Sequence, residues 1–188
     1  MDRQIEGPHG QITARVYQSA ASGTAGPGLV WVHGGAFAFG DIDMPEAHWV
    51  SEQLAARGIA VVSVSYQLAP DFDRWGPPPL QSPGVHFPVA SDEIVPAFEW
   101  GMTDATELGI DPRLLSIGGA SAGANLAAGA SLRIRDASGS LPGWPLRRWW
   151  AANTLATLPD RGGAPSSACS AQSRPGGRVC SWLGTGQR

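Results

Sequence analysis

Two short runs, GLVWVH at Gly28–His33 and IAVVSVSYQLAP at Ile59–Pro70, constrain this chain more than any other feature in it. A strand with one wet face alternates apolar and polar residues, whereas a nearly continuous apolar run must be covered on both faces. Strands of that kind belong to parallel sheets, whose right-handed crossovers lay helices on either side. The segments between them fit. PEAHWVSEQLAARG reads as a helix, with Pro45 near its start, Glu46 in the first turn, Arg57 in the last and Gly58 just past the end. Leu114–Ile117 is a further strand, and AGANLAAGASLRIRD a helix rich in Ala and Leu. A helix is expected between Ser91 and Leu108, where Pro96 should kink it or delay its start. Gln11–Gln18 alternates Ile12, Ala14 and Val16 with polar neighbours, as a half-exposed early strand does. The class is α/β.

The bulk numbers suit one soluble globular domain: 188 residues, 43% hydrophobic and 15% charged, enough to bury a sizeable core. No apolar run approaches a bilayer span. MDRQIEGPHG has no basic segment leading into an apolar one, so the expected compartment is the cytoplasm. The net charge of −3 is unevenly spread. Residues 1–136 hold fifteen acids against seven arginines, residues 137–188 one acid against six, and lysine is absent throughout. An acidic body with scattered basic residues in the tail argues against a nucleic-acid partner. RRWW at Arg147–Trp150 is too short to make a membrane-surface patch. Near Leu141 the pattern changes: the residues beyond it are rich in Pro, Gly, Ser, Ala and Arg and show no sustained period. Residues 1–140 therefore read as the α/β domain and 141–188 as a low-order tail. Cys169 and Cys180 lie in that tail without a nearby histidine or a Cys-x-x-Cys spacing, so no metal site is expected.

Two corners could carry chemistry. Gly119-Ala120-Ser121-Ala122-Gly123 has the form Gly-x-Ser-x-Gly, for which composition alone would supply roughly 0.3 matches in such a chain. Its placement says more than its letters. Ser121 stands between a strand and a helix, where flanking glycines tolerate a strained turn that projects Oγ outward, and the amides after it open a helix. The second corner, His33-Gly34-Gly35-Ala36, comes after an earlier buried strand, and its small residues let backbone N–H groups turn toward an oxygen that becomes negative. Acyl transfer needs both a nucleophile and such donors. His-Gly-Gly is rarer by chance, at roughly 0.07 expected matches. Phe37 and Phe39, in the same loop, either line an acyl pocket or anchor the loop. Trp31, Trp49 and Trp100 read as packing residues.

HGGAFAFGD, VVSVSYQLAP, HFP and GGASAGANLAA, in that order, resemble the successive blocks of the hormone-sensitive-lipase-like esterases of the α/β-hydrolase fold, over about residues 5–140. The resemblance implies the N-terminal part of that fold's parallel sheet and hydrolysis of small carboxylic esters without metal or organic cofactor. It makes Ser121 the nucleophile, gives oxyanion N–H groups to Gly35, Ala36 and Ala122, and has Gly34 shape the loop. It makes His33 a residue that holds the loop by hydrogen bonds, and His86 another brace.

The chain departs from the family in places. Ala36 stands for a third glycine and resists positive φ; Ala120, Ser65 and Gln67 replace charged residues that brace the loops. The family's order is Ser, Asp, His, yet His9, His33, His48 and His86 all precede Ser121. The acids after it are Asp136 and Asp160. The expectation is a weak or inactive esterase. There are two alternatives: a non-catalytic small-molecule-binding protein, as with the gibberellin receptors that resemble this group, or a broken gene copy read out of frame after about residue 141. The last would leave an exposed, aggregation-prone sheet edge.

Overall fold

A computed structural model describes residues 1–19, 25–70 and 84–137. Along the chain come β1 (Asp2–Gly7), β2 (Gly10–Tyr17), β3 (Gly26–Val32), α1 (Pro45–Ala56), β4 (Ala60–Ser65), α2 (Val89–Thr103), β5 (Ile110–Gly119) and α3 (Ala122–Ala137). The five strands form one sheet in the order β1-β2-β4-β3-β5. β4, β3 and β5 pair in parallel, while β1 with β2 and β2 with β4 are antiparallel pairs. The sheet is thus mixed, with the parallel part at its centre and at the β5 side.

Alternation inside the two apolar runs places the layers. Val30 and Val32 of β3, with Val62 and Val64 of β4, face a core built with Ile94, Ala97 and Phe98 of α2 and Leu126, Ala127 and Ile134 of α3. Trp31 and Val61, one position out of phase, face Ala47 of α1 with Leu54 packed beside it. Both faces are covered, which is why neither run alternates with polar residues. At roughly 25 cal/mol per Å² of apolar surface removed from water, this burial is the main term holding the layers together.

Three sequence expectations need correction. Asp2–Gly7 forms a strand that no pattern announced, because Ile5 is its one fully buried residue; its partner β2 and the turn through Pro8 and His9 hold it. Pro96 does not delay the start of α2, which runs from Val89 to Thr103 through it. The helix loses the bond that Pro96 cannot donate, and the buried face of Ile94, Ala97, Phe98 and Gly101 outweighs that cost. Trp49 is 61% exposed. The buried positions of α1 are Ala47, Ser51 and Ala55, spaced by four, and Trp49 falls half a turn away from them. Trp31 is buried, and Trp100 packs against the core, as expected.

Among the described residues β5 has one strand neighbour, β3. Near its start Pro112 stands between Asp111 and Arg113, and Arg113 Nε and Nη2 donate to the Asp111 carboxylate at 3.0 and 2.7 Å. No helix among the described residues is long and apolar enough to cross a membrane. Most of the proline-rich segment, the boundary expected near residue 140, and the tail with Cys169, Cys180 and Arg147–Trp150 lie outside the described residues.

Candidate functional site

The site begins with two parallel neighbours. Val32, the last residue of β3, is in register with Gly119 at the end of β5, so the loop leaving β3 and the turn leaving β5 start side by side. In open α/β sheets this C-terminal edge is where ligands bind.

The β5–α3 corner is set by contact distances. A Cβ on Gly119 would lie 2.5 Å from Val32 O, and one on Gly123 would overlap Val32 O and His33 O. Only glycine lets the first turn of α3 press against the end of β3. Ala120 N donates to Val32 O at 3.0 Å and Gly123 N to Ala120 O at 2.8 Å. The turn between them forces Ser121 to φ +49°, a left-handed conformation costing about 1–2 kcal/mol for a residue with a Cβ. Its carbonyl accepts from Asn125 N at 3.1 Å, the start of α3, and its side chain is exposed.

The β3–α1 loop is held by polar contacts. Gly35 (φ +109°), Ala36 (+52°) and Phe37 (+67°) are successive left-handed residues, closed by Ala38 N and Phe39 N donating to Gly35 O at 3.1 and 2.9 Å. Ala36 thus takes the strained φ that a third glycine would take freely. Gly34 is gripped from both sides. Its N–H donates to Glu46 Oε1 at 2.6 Å; its carbonyl accepts from His33 Nδ1 at 2.7 Å and from Tyr66 OH at 3.2 Å. Tyr66 OH also reaches His33 O at 3.3 Å, and its ring stacks on the His33 imidazole at 4.3 Å between centroids. Since a carbonyl only accepts, His33 carries its proton on Nδ1; burial also pulls its pKa below the usual value, favouring the neutral ring. Burial pushes the Glu46 carboxyl upward, opposed by the Gly34 N–H and the Trp31 indole, and pushes the Tyr66 phenol upward too.

Corner and loop meet. A Cβ on Gly34 would stand 3.6 Å from Ser121 Cβ. An open groove of about 530 Å³ is lined by Ala36, Phe37, Ser121, Ala122 and Asn125, among others. Among the described residues, no hydrogen bond takes the N–H of Gly35, Ala36 or Ala122, whereas that of Gly34 is occupied. Ser121, Gly34, Gly35, Ala36, Ala122 and Phe37 are therefore gathered at one place. Phe39, 42% exposed, lies outside the groove lining.

Apart from His33, two histidines have partners of their own. His9 Nε2 lies 3.1 Å from Asp92 Oδ2, which pairs through its other oxygen with Arg133. His48 Nδ1 and Tyr17 OH share a hydrogen bond at 2.7 Å. His86 is exposed and makes no side-chain hydrogen bond among the described residues. Gln67 keeps a brace despite losing the charge expected there: its backbone N–H and Nε2 donate to buried Glu93 at 2.7 and 2.5 Å. Val85 N then donates to Leu68 O, and Ala69 N to Phe37 O, both at 2.8 Å, so this segment also steadies the loop. No group of three or more His, Cys, Asp or Glu side chains among the described residues is arranged to hold a metal ion. Sequence reading missed Glu46 and Tyr66 as loop contacts. Glu46 looked like an ordinary first-turn acid and Tyr66 like a strand residue, because their partners are twelve and thirty-two positions away.

Comparison with known proteins bears on the family and the fold. The BD-FAE family pattern matches residues 15–138. The carboxylic ester hydrolase LipN of Mycobacterium tuberculosis is 36% identical over 138 residues, 72% of this chain and 32% of its own length. Esterase LipI of the same organism is 29% identical over 82% of this chain and 44% of its own length. The chain thus spans less than half the length of these curated relatives. Among solved structures, an esterase of Pyrobaculum calidifontis superposes with a TM-score of 0.62 at 34% identity, over 73% of this chain and 40% of its own. A bacterial heroin esterase gives 0.62 at 30%, over the same shares. By sequence pattern and by fold, the chain belongs to the BD-FAE family of α/β-hydrolase-fold proteins.

Proposed function

We propose that this chain carries the nucleophile half of a carboxylic ester hydrolase, acting on small-molecule esters with Ser121 as nucleophile. One observation carries the reading: an exposed serine held at φ +49° beside Gly34, in a groove it shares with Ala36, Phe37 and Ala122. The free N–H groups of Gly35, Ala36 and Ala122 receive the oxyanion, Gly34 shapes the loop, and Phe37 covers the acyl side, with Phe39 at its margin. Such donors work because they are fixed before charge develops and need no reorganisation during the reaction.

Ser121 Oγ attacks the ester carbonyl and gives up its proton; the carbonyl oxygen becomes the anion. Collapse expels the alcohol, which leaves with a proton, and water then releases the acid and restores the serine. This sequence needs a group that takes the Oγ proton and returns it to the leaving oxygen. No hydrogen bond joins a histidine to Ser121 among the described residues, and His9, His33, His48 and His86 all precede it in the sequence. The chain by itself is therefore a slow catalyst, since losing the triad histidine of subtilisin costs about 10⁶ in turnover.

The test is covalent labelling by a fluorophosphonate probe, located by mass spectrometry, beside hydrolysis of p-nitrophenyl acetate. The expected result is a slow adduct on Ser121 that disappears in Ser121→Ala, with turnover barely above background. An adduct on another residue, or none from folded protein after prolonged exposure, overturns the assignment. Saturable ester binding with no adduct would instead favour a non-catalytic binding protein.

A further inference from the structure

We infer that Glu46 is a positioning residue for the oxyanion loop: its carboxylate, supplied by the first turn of α1, fixes the peptide plane that precedes Gly34 and thereby the direction of the donors beyond it. The inference rests on the esterase reading above for its functional consequence, but not for the clamp itself.

A trans peptide points its C=O and the next N–H in opposite directions. The plane between His33 and Gly34 is held at both ends: His33 O accepts from Tyr66 OH, and Gly34 N–H donates to Glu46 Oε1 at 2.6 Å. The next plane is held at one end, where Gly34 O accepts from His33 Nδ1 and Tyr66 OH. Its other end is the Gly35 N–H, which therefore points away from the buried His33–Tyr66 pair. Two consecutive planes with three anchored groups leave the fourth, an oxyanion donor, little freedom. Of the anchors, the Glu46 bond joins a carboxylate to an N–H, roughly twice as strong as a neutral hydrogen bond.

The loop is also shaped around this carboxylate. A Cβ at Gly34 would lie 2.9 Å from Glu46 Oε1 and 3.2 Å from Ala120 O, so a side chain there would push the carboxylate out of its clamp or crowd the serine corner. Glu46 Oε2 and Trp31 Nε1 are both buried, and the indole acts on the carboxylate without forming a hydrogen bond of ordinary length and angle. The well-formed bond of this carboxylate is the one that Oε1 accepts from Gly34.

The experiment compares the full chain with Glu46→Leu, which keeps volume and removes the acceptor, and Glu46→Gln, which keeps an acceptor oxygen at the same reach. The first readout is exchange of the Gly34 amide proton by NMR. Protection in the parent, at least tenfold faster exchange in Glu46→Leu and recovery to within threefold in Glu46→Gln are expected. The second is the rate of Ser121 phosphonylation, expected to fall at least tenfold in Glu46→Leu through its saturating rate rather than probe affinity, and to recover in Glu46→Gln. Should Glu46→Leu not fold, Glu46→Asp, whose oxygen retreats by one methylene, must show the same losses. Equal Gly34 exchange in parent and variant overturns the clamp. Protected exchange with unchanged phosphonylation of the folded variant overturns its role in positioning donors. A parent that never labels defeats the esterase reading alone, and the exchange result still decides the clamp.

Discussion

The two corners of the site reach the same precision by opposite means. The β5–α3 turn is steric: Gly119 and Gly123 let α3 touch the end of β3, and no side chain is needed to hold Ser121 in its strained conformation. The β3–α1 loop is polar: three successive left-handed residues are kept in place by Glu46, His33 and Tyr66, which come from another helix, the loop itself and the end of another strand. A steric device is written within five consecutive residues; a polar one is distributed over the fold. The first should fail abruptly when any atom is added, the second gradually and with pH.

Substitution at the steric corner has the largest expected effect. Gly123→Val places methyl groups on Val32 O and His33 O, and should destabilise the fold by about 3 kcal/mol or more, read as a lowered midpoint or lost cooperativity in urea. An unchanged midpoint would break the contrast. Next comes the pH response of the polar loop. His33 has a folded pKa below its ordinary value of 6.5, so the unfolded state takes up a proton first as pH falls. Its contribution to stability is full above 6.5 and is lost as pH drops from there toward the folded pKa, with a slope of at most about 1.4 kcal/mol per pH unit. His33→Asn, which can still donate to Gly34 O, should flatten that part of the stability–pH curve; an unaltered slope would place the titration elsewhere. The smallest effect is a gain. Ala36→Gly frees a residue at φ +52° of roughly 1–2 kcal/mol of strain and gives back roughly 0.5–1 kcal/mol as chain entropy. A net stabilisation of about 0.5 kcal/mol is expected in urea melts. A loss would mean that the polar contacts around Gly34 depend on the alanine methyl.

The same contrast decides what could be read from the letters. β3, β4 and the Ser121 corner were legible because their cause is local: unbroken apolar runs need cover on both faces, and Gly-x-Ser-x-Gly marks a tight strand-to-helix turn. Asp2–Gly7 was not, since a strand with one buried side chain owes its conformation to β2. Pro96 misled because the price of a missing hydrogen bond is visible in sequence, while the packing of Ile94 and Phe98 that offsets it is not. Trp49 misled because residue type was weighed above its position relative to Ala47, Ser51 and Ala55. Glu46 could have been found only by asking which donor a carboxylate one turn into α1 would meet, and the answer needs the path of the loop back over the helix start.

A last consequence concerns the outer margin of the sheet. A strand arriving from another molecule would look for a row of amide donors along β5, and would meet Pro112, which has none, flanked by Asp111 and Arg113 already satisfied by each other. That end of the border recruits foreign strands poorly. The effect is confined to Asp111–Arg113, since the residues of β5 from Leu114 to Gly119 all keep their amide donors.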